Sequence, residues 1–362
     1  MINFIKSIVL LFPLLLSGQN VTVKIVGDLD KKPLMGIQIL SETGSFISES
    51  NSNGGFDYNL ALLKDEGVKN VVFYDSNYLP VEYKIDEIPS IIYLKKIKSY
   101  ELESVLVTNP HSKKYFILKG YCRSWKLVNN KLVKYGDGLI DYRIPYSKRD
   151  ENVEYNIKNY VSAYRTFMID SIKPKSRIVS ISIHDRFLDC YLPKSDILKS
   201  APHYYKSVKE KDSLYVVLHE GEKTGYAIYD KNDLPAEINV SESFEKEEEI
   251  KLLIWKISGK FKNIEKWTGE GNTRHPSYLF SSKKIMVKTK FEGKFNNVET
   301  VTELFIDDFV YNDEKPLVYK SYIDKDRSFY NSNYWDEQLV KHPLLSEIKA
   351  QLTNVNENKN NY

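Results

Sequence analysis

The stretch "SNSNGGFDYNL" (residues 50–60) decides the fold of the first part of the chain. A phosphate-binding loop would need the spacing G-x-x-x-x-G-K-[ST] between a strand and a helix. Here Gly54 and Gly55 are adjacent and no lysine follows them. In an extended chain, Phe56 and Tyr58 point to the same face, and Asn and Gly tolerate the positive φ of a hairpin turn. The stretch therefore predicts a tight structural turn that leads into a strand.

Short strand-like segments surround this turn on both sides. Alternating or compact apolar runs recur at residues 21–25, 35–39, 71–74, 91–94 and 105–107. Turn-forming residues such as Gly27 and Gly44 lie between these runs. Several short strands at such spacing are typical of an antiparallel β-sandwich. We expect this sandwich to span residues 19–108.

Four motifs in this region resemble the carboxypeptidase regulatory-like (carboxypeptidase D regulatory-like) domain of exported Bacteroidetes-type proteins. "VTVKIVGDLDKKPLMGIQIL" (residues 21–40) is similar to the first hairpin of that domain, and "SESNSNGGFDYNL" (48–60) to its Thr-Asp-x-x-Gly-x-Phe turn. "VVFYDSNYLPVEYKI" (71–85) resembles the strand before its Gly-Tyr motif, with Asn77 where Gly is usual, and "YELESVLVT" (100–108) resembles its closing strand. The resemblance implies a non-catalytic β-sandwich, so no catalytic residue is carried over.

The N-terminus has the layout of a secretory signal peptide. Lys6 precedes an apolar run at residues 8–16, and the small residues Ser17 and Gly18 follow. The run is too short for a membrane-spanning helix, although an uncleaved anchor is the alternative. We predict a signal peptide over residues 1–18 and an exported product that is periplasmic, outer-membrane-associated or extracellular. No later stretch is long and apolar enough to predict a transmembrane segment after cleavage.

Composition narrows the partner classes. Lys plus Arg number 52 and Asp plus Glu number 49, so the formal net charge of +3 gives no reason to expect a nucleic-acid partner. The only cysteines are Cys122 and Cys190. In an oxidising compartment they can form a disulfide, and two buried free thiols are the alternative.

The second half of the chain predicts a larger β-rich domain. Pro110 marks a linker over residues 109–114, and long alternating segments follow it. We expect a curved antiparallel sheet or half-barrel over residues 115–350, with a C-terminal helix around residues 335–345 and a flexible tail at 351–362. The strand order and the turn "DKNDLPA" (230–236) resemble lipoprotein-carrier-like half-barrels, which implies an apolar cavity.

A possible ligand face follows from the alternation of apolar residues along two neighbouring strands. Its members are Trp255, Ile257, Phe261, Val287 and Phe291. The C-terminal helix either packs tightly on this face as core or leaves an apolar cavity suited to a lipid-like ligand.

Catalytic signatures do not stand out in the sequence. The six histidines include no H-E-x-x-H pair, since Lys223 stands where His219 would need its partner, and no G-x-S-x-G elbow is present. We predict no catalytic, cofactor-binding or metal-binding residue and no cofactor. Arg123, Trp125 and Tyr142 can line a cleft or form core. The charge run at residues 245–251 predicts a solvated strand edge or turn.

These observations favour an exported cell-envelope protein of a non-enzymatic binding or accessory type. Its partner is expected to be another envelope protein or an apolar ligand. One alternative is a secreted hydrolase whose site is assembled from distant residues. Another is a carrier of a lipid-like ligand in the C-terminal half-barrel.

Overall fold

The chain folds as a mainly β protein with two compact units. A computed structural model describes residues 20–97, 115–145, 158–169, 190–250, 253–289, 296–312 and 334–359. One unit comprises Met1–Ser99 and Leu345–Glu347, and the other comprises Tyr100–Leu344 and Ile348–Tyr362. The predicted signal peptide and linker lie outside the described residues, as does the closing strand at 100–108.

Seven short strands form the first unit over its described residues. They are β1 (Asn20–Gly27), β2 (Gln38–Ser41), β3 (Phe46–Glu49), β4 (Gly55–Asn59), β5 (Asn70–Asp75), β6 (Tyr78–Lys84) and β7 (Ile91–Leu94). One sheet has the order β4-β1-β7 and the other has the order β3-β2-β5-β6. Apolar residues from both sheets, among them Ile25 and Phe73, share a single core, so the predicted sandwich is confirmed. One pair departs from the antiparallel expectation, because β1 and β7 are parallel.

The double glycine forms a structural turn, as predicted. The Asn51 side chain accepts hydrogen bonds from the backbone N–H groups of Asn53 and Gly55, both at 2.9 Å. Gly54 has a φ of +72°, a value that side-chain-bearing residues rarely adopt. The turn delivers Phe56 into the core, where its ring lies 6.2 Å from that of Phe73.

Ten strands, most of them longer, form one sheet in the described part of the second unit. They are β8 (Tyr115–Val128), β9 (Lys131–Pro145), β10 (Lys158–Met168), β11 (Tyr205–Lys211), β12 (Leu214–His219), β13 (Glu222–Tyr229), β14 (Pro235–Ile250), β15 (Leu253–Thr268), β16 (His275–Thr289) and β17 (Asn296–Asn312). Their order is β10-β9-β8-β17-β16-β15-β14-β13-β12-β11, and every pair is antiparallel. The predicted long antiparallel sheet is confirmed.

The order of the strands is a meander with one long-range connection. Strands β11 to β17 follow one another along the chain, as do β8 to β10, and pairing between β8 and β17 joins the two sets. The charge run at residues 245–250 continues β14 past Val240, the last residue that pairs with β13. This part of β14 pairs with β15 along one edge, and among the described residues no strand pairs with its other edge.

Helices are short and few in the described residues. They are α1 (Leu60–Asp65), α2 (Ile197–Ser200), α3 (Tyr334–Lys341) and α4 (Ser346–Lys359). Helix α4 extends through most of residues 351–362, which we predicted as a flexible tail. That segment contains no Pro or Gly, so nothing in it stops the helix. Among the described helices, none combines the length and the hydropathy needed to cross a bilayer.

Replacement of Gly54 by alanine tests the turn. A Cβ atom at this position would lie 2.4 Å from the carbonyl oxygen of Ile25, in addition to the strain of positive φ. Gly67 has a φ of +77°, and a Cβ atom added there would meet no atom within 4 Å, so Gly67→Ala is the matched control. We expect Gly67→Ala to lower the free energy of unfolding by about 1 kcal/mol and Gly54→Ala by about 3 kcal/mol. Equal losses in denaturant unfolding would contradict the backbone clash.

Candidate functional site

A covalently anchored segment crosses one face of the ten-stranded sheet. This segment, residues 190–197, is called the strap below. At its start, Cys190 forms a disulfide with Cys122 of β8, with a Cα–Cα distance of 6.1 Å. The Tyr142 hydroxyl on β9 donates a hydrogen bond of 2.8 Å to the Cys190 carbonyl, and Leu192 is buried in the core of this face. The two cysteines therefore pair, and their disulfide fixes the strap to the sheet.

The other end of the strap is fixed to β15 by hydrogen bonds. The backbone N–H of Ile197 donates to Glu265 Oε2 at 3.1 Å. Trp267 Nε1 donates to the same oxygen at 2.8 Å. Asp196 accepts a hydrogen bond from the Lys199 backbone N–H at 2.9 Å and so caps α2. The strap is thus held at both ends, across the four adjacent strands β8, β17, β16 and β15.

A pocket of about 230 Å³ lies between the strap and these strands. The strap contributes Cys190, Tyr191 and Pro193 to its walls. The sheet contributes Asn263, Ile264, Glu265, Leu279, Phe280, Ser281, Thr302 and Leu304. Tyr191 is 65% exposed, which places it at the solvent side of the pocket.

Strand register arranges the floor of the pocket as two parallel rows. In the first row, Asn263 lies opposite Ser281, and Ser281 lies opposite Thr302. This row carries amide and hydroxyl groups, and we call it the polar row. In the second row, Glu265 lies opposite Leu279, and Leu279 lies opposite Leu304. The second row, called the apolar row, continues to Cys122 of the disulfide. A ligand on this floor meets hydrocarbon on one side and hydrogen-bonding groups on the other.

Glu265 is the carboxylic acid in the lining of the pocket. Burial raises its pKa to about 7, although the two N–H donors to Oε2 act in the opposite direction and nearby Asp196 adds to the rise. The carboxyl group consequently changes charge close to neutral pH. It can donate a hydrogen bond when protonated and can accept one or hold a cation when ionised.

The predicted ligand face lies on the strands of the pocket but is displaced from it. Ile257 pairs with Val287 and Trp255 pairs with Thr289 in the backbone register of β15 and β16. Phe261 is half-buried, with the Lys283 ammonium 5.9 Å from its ring centre. Phe291 lies outside the described residues. By strand alternation, Phe261 falls on the same face as Asn263, two residues along β15.

The predicted face thus shares β15 and β16 with the pocket, but none of its described residues lines the pocket, and sequence analysis missed the lining residues themselves. Glu265 lies in the segment "KNIEKWT", where a charged residue in an alternating strand ordinarily faces solvent. The signal that could have revealed it is the cysteine pair. Once Cys190 is linked to Cys122, the strap must cross the sheet next to β8. Strand periodicity does not predict the register between strands, so it could not show that Leu304 and Leu279 lie between Cys122 and Glu265.

The opposite face of the same strands carries buried ion pairs. Arg123 Nε donates to Glu303 Oε2 at 2.6 Å, and the Tyr278 hydroxyl donates to Glu303 Oε1 at 2.7 Å. Arg123 also donates to the backbone carbonyls of His342 and Pro343, just beyond α3. Arg123 is therefore part of the folded interior, as are Trp125 and Tyr142, which are also buried.

A second buried carboxylate follows the same arrangement on this face. Asp137 receives two hydrogen bonds from Arg165, at 2.7 and 2.9 Å, and one each from Tyr121 and Tyr135. A carboxylate enclosed in this way is stabilised as a structural ion pair, because its oxygens are already engaged by strong donors.

The histidines do not converge on one site in the described residues. His342 Nε2 lies 2.7 Å from Asp307 Oδ1, and its ring stacks on Phe305 with 4.0 Å between centres. His219 stacks on Tyr204, and His275 Nδ1 lies 2.6 Å from the Thr273 carbonyl oxygen. Across the described ranges, no group of three or more His, Cys, Asp or Glu side chains is placed to hold a metal ion.

Fold and site together define a mainly β protein whose long sheet holds a strapped, largely apolar pocket. No family model and no curated protein matches the chain. A solved structure described as "lipid-protein interactions in lipovitellin" is similar over 56% of this chain and 26% of that chain, at 9% identity and a TM-score of 0.24. The matched part thus spans about a quarter of that protein, and a TM-score of 0.24 does not establish a shared fold.

The pKa of Glu265 predicts a stability that depends on pH. Its folded-state pKa of about 7 exceeds its ordinary value of 4.5. The free energy of unfolding is therefore highest below pH 4.5. It falls by roughly 3 kcal/mol in total as the pH rises through 7. Glu265→Gln cannot ionise, so it should lack this loss. The difference in unfolding free energy between wild type and Glu265→Gln should change across pH 4.5–8, and a constant difference would refute the assignment.

Proposed function

We propose that this protein is an exported cell-envelope protein that binds a small, mostly apolar ligand and acts without catalysing a reaction. The observation that carries the proposal is the pocket between strap and sheet, with its apolar row beside a polar row. Binding sites for small molecules commonly combine apolar walls with a few placed polar groups. The apolar row and the strap supply the walls, and Glu265 and the polar row supply the polar groups.

Pocket size limits the ligand class. An apolar protein cavity of about 150 Å³ holds a benzene-sized molecule. The volume of about 230 Å³ is therefore suited to a single ring or a short hydrocarbon chain. A larger lipid-like molecule would place only one part here and leave the remainder outside, past Tyr191. This refines the carrier hypothesis from a whole lipid to a short apolar group.

Export is supported by two independent features. The first 18 residues have the charge, apolar run and small residues of a signal peptide. The Cys122–Cys190 disulfide suits an oxidising compartment, where such bonds persist. The first-unit sandwich, with its resemblance to carboxypeptidase regulatory-like domains, is proposed as an accessory module of the exported protein.

Mass spectrometry of gently purified native protein tests ligand binding. We expect a small apolar compound to remain bound to protein recovered from the envelope. Leu279→Trp should abolish co-purification because the larger side chain fills the apolar row. Val310→Trp changes an exposed position on β17 outside the pocket and is the matched control. Ligand-free wild type, or equal retention by both variants, would refute the pocket as the binding site.

Export has its own test, in the N-terminal sequence of the mature protein. Protein from the envelope fraction should begin at or close to Gln19, because cleavage is expected next to Gly18. Recovery of chains that retain Met1 in the cytosolic fraction would contradict export.

A further inference from the structure

The two carboxyl oxygens of Glu265 have different surroundings. Oε2 accepts both N–H groups, from Ile197 at 3.1 Å and from Trp267 at 2.8 Å. No hydrogen bond to Oε1 occurs among the described residues, and this oxygen is not sealed from solvent. In the neutral carboxyl group the proton therefore belongs on Oε1, because Oε2 already serves as the acceptor. Glu265 lines the pocket, so the neutral group offers an O–H donor there.

The position of this donor sets the shape of a suitable ligand. Glu265 stands at one end of the apolar row, and Leu279 and Leu304 follow on the next two strands. Two strand spacings separate Glu265 from Leu304, a distance of about 10 Å. A molecule that fits has a hydrogen-bond acceptor at one end and a short apolar chain along the leucines. The strap residue Pro193 and the disulfide enclose that chain from the other side.

We propose that the pocket takes a short acyl group whose carbonyl oxygen accepts a hydrogen bond from Glu265 Oε1–H while its hydrocarbon chain lies over Leu279 and Leu304. The inference deepens the proposed ligand-binding function and rests on it. Amides, esters and protonated acids share this carbonyl. In the polar row, Asn263 lies on the same strand as Glu265 and can add a hydrogen bond beside the carbonyl. Ser281 and Thr302 lie alongside the hydrocarbon chain.

The protonation of Glu265 controls this hydrogen bond. The charge of Asp196 raises the pKa of Glu265, and Glu265 in turn is one of the groups that, after burial, raise the pKa of Tyr205. Ionisation of Glu265 removes the donor, so an acyl ligand should bind more weakly as the pH rises through about 7. An amine would instead pair with the ionised carboxylate, and its binding would strengthen over the same range.

Three probes with the same six-carbon skeleton distinguish an acyl ligand from an amine. They are hexanamide, hexanoate and hexylamine. Each is titrated into the full-length, disulfide-bonded protein by calorimetry at pH 5.5 and pH 8.5. Hexanamide should bind at pH 5.5 and lose about 30-fold in affinity at pH 8.5, the factor by which the neutral fraction of a group with a pKa of 7 falls. Hexanoate should weaken at least as much, since its own charge must also be buried. Hexanamide affinity that does not fall at pH 8.5, or hexylamine that binds more tightly than hexanamide at pH 5.5, would overturn the proposal.

Glu265→Gln makes the test more specific, because the glutamine amide can both accept and donate hydrogen bonds as the neutral acid does. The amide oxygen can accept from Ile197 and Trp267, and the amide N–H₂ is a donor at every pH. Hexanamide should therefore bind Glu265→Gln within about threefold of wild type at pH 5.5, with no pH dependence. Glu222→Gln, at an exposed position on β13, should behave as wild type. A 30-fold loss that persists in Glu265→Gln would refute the role of Glu265.

The failure of this inference and the failure of the proposed function give different results. If a native ligand co-purifies and is excluded by Leu279→Trp, but hexanamide does not bind, the pocket is a binding site and the acyl assignment is wrong. If neither a native ligand nor any probe binds to wild type, the proposed function fails and the inference fails with it.

Discussion

The pairing of β8 with β17 is the constraint on which the second unit depends. It joins residues that are about 180 positions apart, with Arg123 opposite Glu303 and Cys122 opposite Leu304. Because adjacent residues of a strand face opposite sides, one register sets both faces at once. On one side it forms the buried Arg123–Glu303 ion pair, and on the other it places Cys122 to receive the strap.

The ion pair makes a shifted register costly. Both side chains are almost fully buried, and removal of one partner from such a pair costs about 3–5 kcal/mol because a buried charge is left uncompensated. A slip of one residue would bring Arg123 opposite Leu304 or Thr302 and would separate the charges. The same slip would move Cys122 away from its place opposite Leu304, so the disulfide could no longer anchor the strap at the end of the apolar row. The polar network on one face thus fixes where the strap is anchored on the other.

Strand periodicity predicted much of this architecture. The Asn-Ser-Asn-Gly-Gly turn, the short strands around it and the long alternating strands of the second half each carry a local pattern. Local patterns do not show which strands become neighbours, so the β8–β17 pairing could not be derived. The pocket depends on that pairing and on the Cys122–Cys190 disulfide, for which the sequence alone also allowed two free thiols. Phe261 was predicted from its apolar character, whereas Glu265, four residues along the same strand, was passed over because charged residues on strands ordinarily face solvent.

The chemistry of Glu265 differs from that of Asp137 and Glu303 for a structural reason. Asp137 and Glu303 each face an arginine, whose positive charge compensates the carboxylate. Glu265 instead receives two neutral N–H donors, one of them from the strap. Neutral donors stabilise the ionised form less than a guanidinium does, so burial prevails and the pKa rises to about 7. The hydrogen bond that holds the strap in place therefore also fixes which carboxyl oxygen can carry the proton. A folded protein that needed only a closed core would gain from an apolar residue here. A carboxyl group in the lining of a cavity, with one oxygen engaged by two N–H donors and the other without a hydrogen bond among the described residues, is the arrangement expected where it serves a ligand.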